Sequence, residues 1–187
     1  MTPRLSVIVA TLGRETLRRA LQSAADQPLL PGDEVLVVGA GETLERISSD
    51  FGYRHVPCPV MGDFGYSERQ YAMPLATGTH LLFLDDDDCF TPGAFNAIRR
   101  MIEANPGRPL MFRMVAPWGQ MLWVDRVVRV ANHGGPQFVV PNDPARLGRW
   151  GTRYEGDFDF CTSTLALYPE GSLVWDETVI YVCRPPA

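Results

Sequence analysis

Residues 79–90 read Thr-His-Leu-Leu-Phe-Leu-Asp-Asp-Asp-Asp-Cys-Phe. An apolar run, Leu81 to Leu84, stops at four consecutive carboxylates, Asp85, Asp86, Asp87 and Asp88. A short apolar run bounded by a turn signal reads as a buried strand. Four acids at the carboxyl end of such a strand repel one another and resist desolvation. This end of the strand therefore calls for a positive partner, and a divalent cation is the obvious one. Hard oxygen ligands with no His among them suit Mg2+ or Mn2+ rather than zinc. In open α/β sheets, ligands bind outside the carboxyl ends of the strands. The plainer outcome is a solvated acidic loop before the next helix, whose N-terminus favours carboxylates. Four acids in a row weigh toward the cation. Thr91 is the expected N-cap of that helix and Pro92 its first residue.

Strand and helix patterns alternate on either side of this run. Leu5 to Ala10 is near-continuously apolar, as a buried parallel strand should be. From Glu15, the residues Leu17, Ala20, Leu21 and Ala24 recur at helical spacing, and Pro28 and Pro31-Gly32 stop the helix. Val35 to Val38 reads as a second strand, Glu42 to Ser49 as a short helix, and Tyr53 to Cys58 as a third strand. Tyr66 to Ala76 reads as helical despite Pro74, and Ala94 to Ala104 as another helix. Such alternation implies βαβ units and a parallel sheet. After Gly107 the pattern changes. Leu110 to Val115, Met121 to Val130, Gln137 to Val140 and Leu173 to Val182 read as strands. Helical structure is expected near Pro144 to Gly148 and again from Asp157. This half is rich in aromatics and could cover the carboxyl ends of the sheet.

A chain of 187 residues is long enough for one domain with a real core. No stretch approaches the ~20 apolar residues that span a bilayer. Met1-Thr2-Pro3-Arg4 leads straight into the first strand, so no signal peptide is expected. Cys58, Cys89, Cys161 and Cys183 form no Cys-x-x-Cys pair, which points away from zinc and disulfides and toward a reducing cytoplasm. The net charge of −5 weighs against a general nucleic-acid binder. All 17 basic residues are arginine, which excludes a catalytic lysine and a phosphate loop ending in Gly-Lys-Ser/Thr.

Three further stretches carry chemistry. Gly39-Ala40-Gly41-Glu42 follows a strand, but Leu44 stands where a dinucleotide fingerprint has its third glycine, and no acid follows about 20 residues on. A tight strand-to-helix turn is the better reading. Asp63-Phe64-Gly65-Tyr66-Ser67-Glu68-Arg69 places glycine near a turn or ligand and aims Arg69 toward the acidic strand, where it can pair with a carboxylate or hold a phosphate. Arg14 begins the first helix, where anions bind; an exposed surface arginine is its plainer role. In Arg153-Tyr154-Glu155-Gly156-Asp157-Phe158-Asp159-Phe160, a carboxylate in apolar surroundings can have its pKa raised and act as a general base. Helix capping by Asp157 is compatible with that role.

Ser6-Val7-Ile8-Val9-Ala10-Thr11 with Arg14, then Asp63-x-Gly65-x-x-x-Arg69, then Ala76-Thr77-Gly78 through Asp88, together resemble glycosyltransferase family 2, with the GT-A fold. The resemblance covers residues 4 to about 105 and extends more loosely to Gly156-Asp157. It implies a single Rossmann-like α/β domain with a mixed, mostly parallel sheet. Residues 4–105 would be the nucleotide-sugar-binding half and 106–187 the acceptor-side half. It implies an inverting transfer from a nucleoside-diphosphate sugar to an acceptor hydroxyl on a glycan, a small molecule or, more remotely, a modified nucleic acid. Thr11 and Arg14 would lie near the nucleotide, and Asp63, on the loop that leads into the next helix, would help bind the donor. Asp85 would approach the ribose, and Arg69 the diphosphate or the acids. Asp87, with Asp85, would hold Mn2+ or Mg2+, Asp86 would assist, and Asp157 would take the acceptor's proton. The chain departs from the family after its second strand, where acids are usual and Gly39-Ala40-Gly41 stands here; Glu42 is the available substitute. His133 is expected at the surface, and Asn142 is placed near the site. A sugar-nucleotide-binding protein without catalysis and a nucleotidyltransferase acting on a sugar phosphate are the alternative readings.

Overall fold

The computed structural model describes residues 2–59 and 61–186. Its strands are β1 (Leu5–Ala10), β2 (Glu34–Gly39), β3 (Arg54–Pro57), β4 (His80–Asp85), β5 (Cys89–Phe90), β6 (Leu110–Val115), β7 (Met121–Leu122), β8 (Phe138–Pro141) and β9 (Val174–Val182). Its α-helices are α1 (Leu17–Ala25), α2 (Glu42–Asp50), α3 (Tyr66–Ala72), α4 (Ala94–Ala104) and α5 (Gly156–Leu165). The strands form one sheet in the order β3-β2-β1-β4-β8-β6-β9-β5, with β7 on β6. β3, β2, β1 and β4 are parallel neighbours. β8 runs antiparallel between β4 and β6, while β9 lies parallel to β6. This is the mixed sheet expected, parallel throughout its first half.

Strand alternation divides the core between the two faces. Leu5, Val7 and Val9 of β1 pack with Leu17, Leu21, Phe95 and Ile98 on one side. Ile8, Leu36, Val38 and Phe83 pack with Trp150 and Phe160 on the other. Every apolar position predicted for the first helix is buried in α1. Parallel strands send their carboxyl ends to one edge, so the ends of β1, β2 and β4 come together there.

Four local expectations are corrected. The helix from Tyr66 stops at Ala72 and passes into a 3-10 turn, Met73–Leu75, around Pro74. Proline has no N–H to donate and its ring crowds the preceding turn. α4 starts at Ala94, not Pro92, after Gly93 at φ +79°; Thr91 does not cap it but donates its hydroxyl to the Val179 carbonyl of β9, 2.7 Å away. Of the strand read over Met121 to Val130, only Met121–Leu122 forms. Val124, Val127 and Val130 face solvent, and the Asn132 side chain bonds the Val124 amide and the Asp125 and Val127 carbonyls. One amide side chain thus satisfies backbone that a ladder would otherwise pair. Asn142 is remote from the site: it ties the carbonyls of Ala76 and Gly78 at the amino end of β4.

Candidate active site

A cavity of about 350 Å³ opens at the carboxyl ends of β1 and β4, lined chiefly by Thr11, Arg14, Gly65, Arg69, Asp85–Asp87 and Arg184. The four aspartates that end β4 have four different roles. Asp85 ion-pairs with Arg69, whose Nη1 also donates to the Phe64 carbonyl at 3.0 Å. That guanidinium lies over the rings of Trp150 and Tyr66. Asp86 is buried and knits the turn after β1: its Oδ2 accepts from the Thr11 hydroxyl at 2.7 Å and the Leu12 amide at 3.2 Å, and its Oδ1 faces Arg14 at 3.3 Å. Asp87 Oδ2 accepts from Arg14 Nη1 at 3.0 Å and from Arg184 Nε at 3.1 Å. Asp88 is buried and ties β9 to the acidic turn, accepting from the Tyr181 hydroxyl at 2.8 Å and the Arg184 amide at 2.7 Å. The Tyr181 hydroxyl in turn accepts from the Asp85 amide at 2.9 Å.

Arg14, Arg69 and Arg184 thus bring positive charge to this run. Burial raises the Asp85 carboxyl against the pull of Arg69, with Asp87 and Asp86 raising it further. Burial, with Asp85 nearby, pushes Asp88 up to about 7.

The loop before α3 is shaped to bring Arg69 in. Gly65 has φ +81°, and a Cβ there would lie 2.8 Å from the Ala10 Cβ and 3.2 Å from Arg69 Nη1, so glycine is required. Asp63 does not line the cavity. Its carboxylate accepts from the Ser67 amide, 3.2 Å away, and from the Ser67 hydroxyl, so it caps the first turn of α3.

Asp157 sits in the first turn of α5. Burial pushes its carboxyl up to about 6; Arg69 pulls it down and Asp85 raises it. It is not among the residues lining the cavity, yet both charges that act on it belong to that lining. A Cβ on Gly135 would come within 2.8 Å of its Oδ1, so the small residue leaves room for the carboxylate.

Glu42 is not brought to this site. It starts α2 and lines a separate open depression with His55 and Tyr53. Gly39, which ends β2, has no room for a side chain: a Cβ there would lie 2.5 Å from the Thr11 carbonyl oxygen. His133 is also corrected. It is buried, its ring lies 6.3 Å from that of Phe158, and burial lowers it to about 4.

Among the described residues, no group of three or more His, Cys, Asp or Glu side chains forms a metal cage. The donor set still fits a hard cation. Among the described contacts, Asp85 Oδ2 and Asp87 Oδ1 accept no hydrogen bond, so each of these cavity-lining carboxylates keeps one oxygen without a described partner. One or two carboxylates, completed by substrate phosphates and water, is the usual way Mg2+ is held. Sequence reasoning missed Arg184 and Tyr181. Both lie on or just after β9 and reach the aspartates only through the fold, and neither stands in a motif.

Residues 6–120 match the model of a family described as glycosyl transferase family 2. YwdF of Bacillus subtilis (strain 168), described as an uncharacterized glycosyltransferase, is 29% identical over 105 residues, 54% of this chain and 38% of that protein. The fold resembles that of S. aureus TarS, with a TM-score of 0.78 at 16% identity over 97% of this chain and 37% of that one. Residues 1–349 of TarS in complex with UDP-GlcNAc align with a TM-score of 0.75 at 17% identity, over 98% of this chain and 59% of that one. Glucosyl-3-phosphoglycerate synthase from Mycobacterium tuberculosis, in complex with Mn2+, UDP and glucosyl-3-phosphoglycerate, aligns with a TM-score of 0.71 at 15% identity, over 99% and 73% of the two chains. The shared architecture is the GT-A fold. This chain spans less than two-fifths of YwdF and of full TarS.

Proposed function

The chain belongs to glycosyl transferase family 2, and from that premise we propose that it is a metal-dependent, inverting glycosyltransferase using a nucleoside-diphosphate sugar. The observation that carries this reading is the meeting of Arg14, Arg69, Asp85 and Asp87 in one cavity, electrostatically coupled to an aspartate raised to about 6. Thr11 and Arg14 would border the nucleotide. Asp85 and Asp87 would hold Mn2+ or Mg2+ against the diphosphate. Bound there, the cation would act as a Lewis acid toward the departing diphosphate and as a template for it. Arg69, fixed by Asp85, the Phe64 carbonyl and two aromatic faces, supplies a permanent positive charge beside the leaving group. Asp157 would accept the proton of the acceptor hydroxyl at its carboxylate. A base with a pKa near 6 is mostly ionised at neutral pH yet still basic enough to take that proton. Attack from the side opposite the diphosphate inverts the anomeric carbon.

Product analysis tests this. With a turned-over donor, the expected products are free nucleoside diphosphate and a glycoside of inverted configuration, read by proton NMR. Asp157→Asn and Asp87→Ala are each expected to lower kcat/KM by about 10²-fold or more. Release of pyrophosphate would indicate a nucleotidyltransferase, and unchanged transfer in both variants would refute these roles.

A further inference from the structure

We propose that Arg184 is an exchangeable counter-ion of Asp87, which leaves that carboxylate for the donor's diphosphate when cation and donor bind together. This rests on the donor reading above. Arg14 and Arg184 both donate to the same oxygen, Asp87 Oδ2, so that carboxylate is over-supplied with positive charge. The main chain of Arg184 is anchored. Its amide donates to Asp88 Oδ1 at 2.7 Å, Asp88 accepts from Tyr181, and the residue takes φ +43°, a left-handed conformation unusual for arginine. Its side chain is held differently: it is 68% exposed, and its one described ion pair is to Asp87. Solvent reaches the guanidinium although the Asp87 side chain is mostly buried, which screens the pair, so the guanidinium can leave Asp87 while the backbone stays fixed.

Charge balance gives the exchange its direction. Four carboxylates and three guanidiniums line the cavity. A divalent cation arriving alone must compete with two arginines for Asp87. A nucleoside diphosphate arriving alone must compete with three aspartates for the guanidiniums they already hold. Arriving together, each takes the partner the other releases: the cation takes Asp87, and the phosphate oxygens take the guanidinium, whose fork matches them. Cation and diphosphate should therefore bind cooperatively, with Arg184 part of the coupling.

Calorimetric titrations of wild type, Arg184→Gln and Arg184→Lys with Mn2+ alone, with nucleoside diphosphates (UDP, GDP, ADP, CDP) plus Mn2+, and with the matching monophosphate test this. For Arg184→Gln, binding of Mn2+ alone should tighten about threefold, as loss of a solvent-screened pair allows. Binding of the diphosphate with Mn2+ should weaken about tenfold, and monophosphate binding should stay unchanged. Arg184→Lys should fall between. Opposite signs for metal and diphosphate are not expected of a merely structural residue. If both affinities stay as in wild type, or both weaken together in the Gln and Lys variants, the proposal is wrong while the donor reading stands. If wild type binds none of the diphosphates with Mn2+, the donor reading fails and this assignment with it.

Discussion

Asp157 shows how a side chain that costs stability can suit the base role proposed for it. Burial raises its carboxyl to about 6, above the 3.8 of an unperturbed aspartate. A folded-state pKa above the unfolded value means that ionisation costs stability. The cost is absent below about pH 4, grows as pH rises toward 6, and remains in full above it. Asp157→Asn removes the charge and keeps a similar shape. The variant should therefore be more stable than wild type at pH 8, by about 1–2 kcal/mol after allowing for the solvent that still reaches the site. The difference should close by pH 4, as thermal or urea unfolding at the two pH values would read. In the base role proposed for Asp157, the same shift should give kcat/KM an acid limb near pH 6, since only the ionised carboxylate can accept a proton. A variant that is less stable at pH 8 would contradict this placement. Neighbouring residues differ sharply in role: Asp88 is a structural strut away from the cavity lining, Asp86 lines the cavity while it knits the turn after β1, and Asp85 and Asp87 pair with the cavity's arginines.

At the scale of elements, β1 and β2 end so close together that the turn after β2 has no room for a side chain on Gly39, whose Cβ would meet the Thr11 carbonyl at 2.5 Å and Leu44 Cδ1 at 2.8 Å. Restoring the acid that the family usually carries there should therefore harm rather than help. Gly39→Asp is expected to destabilise by about 1–3 kcal/mol and to weaken nucleotide binding by displacing Thr11. Equal or better binding with unchanged stability would contradict the packing argument. Elements with strong periodicity were legible from sequence: β1, α4 and β6 have the predicted bounds apart from the Pro92 start. Apolar spacing misled where the chain lies on the surface. Val124, Val127 and Val130 look like strand residues but are exposed, and Asn132 bonds the backbone of Val124 and Val127 in place of a ladder. No motif surrounds His133 to signal burial, yet the fold buries it with its ring against Phe158 of α5.

For the molecule as a whole, the half that holds the parallel sheet declares its fold and the acids at its edge in sequence order. The second half contributes Asp157, Tyr181 and Arg184 through contacts 72 to 97 residues distant in the chain. Such long-range pairing has no local signature. No described helix is long and apolar enough to cross a membrane. The central claim is that the cavity at the β1 and β4 ends holds a cation and a nucleoside diphosphate together, and ligand-dependent stability tests it most directly because it needs no acceptor. Thermal unfolding should be followed with UDP, GDP, ADP or CDP, each with Mn2+ or with chelator, in wild type and Asp87→Ala. One nucleotide series should raise the wild-type midpoint with Mn2+, lose most of that effect with chelator, and lose it again in Asp87→Ala. No shift from any series, or a shift unaffected by both chelator and the substitution, would contradict it.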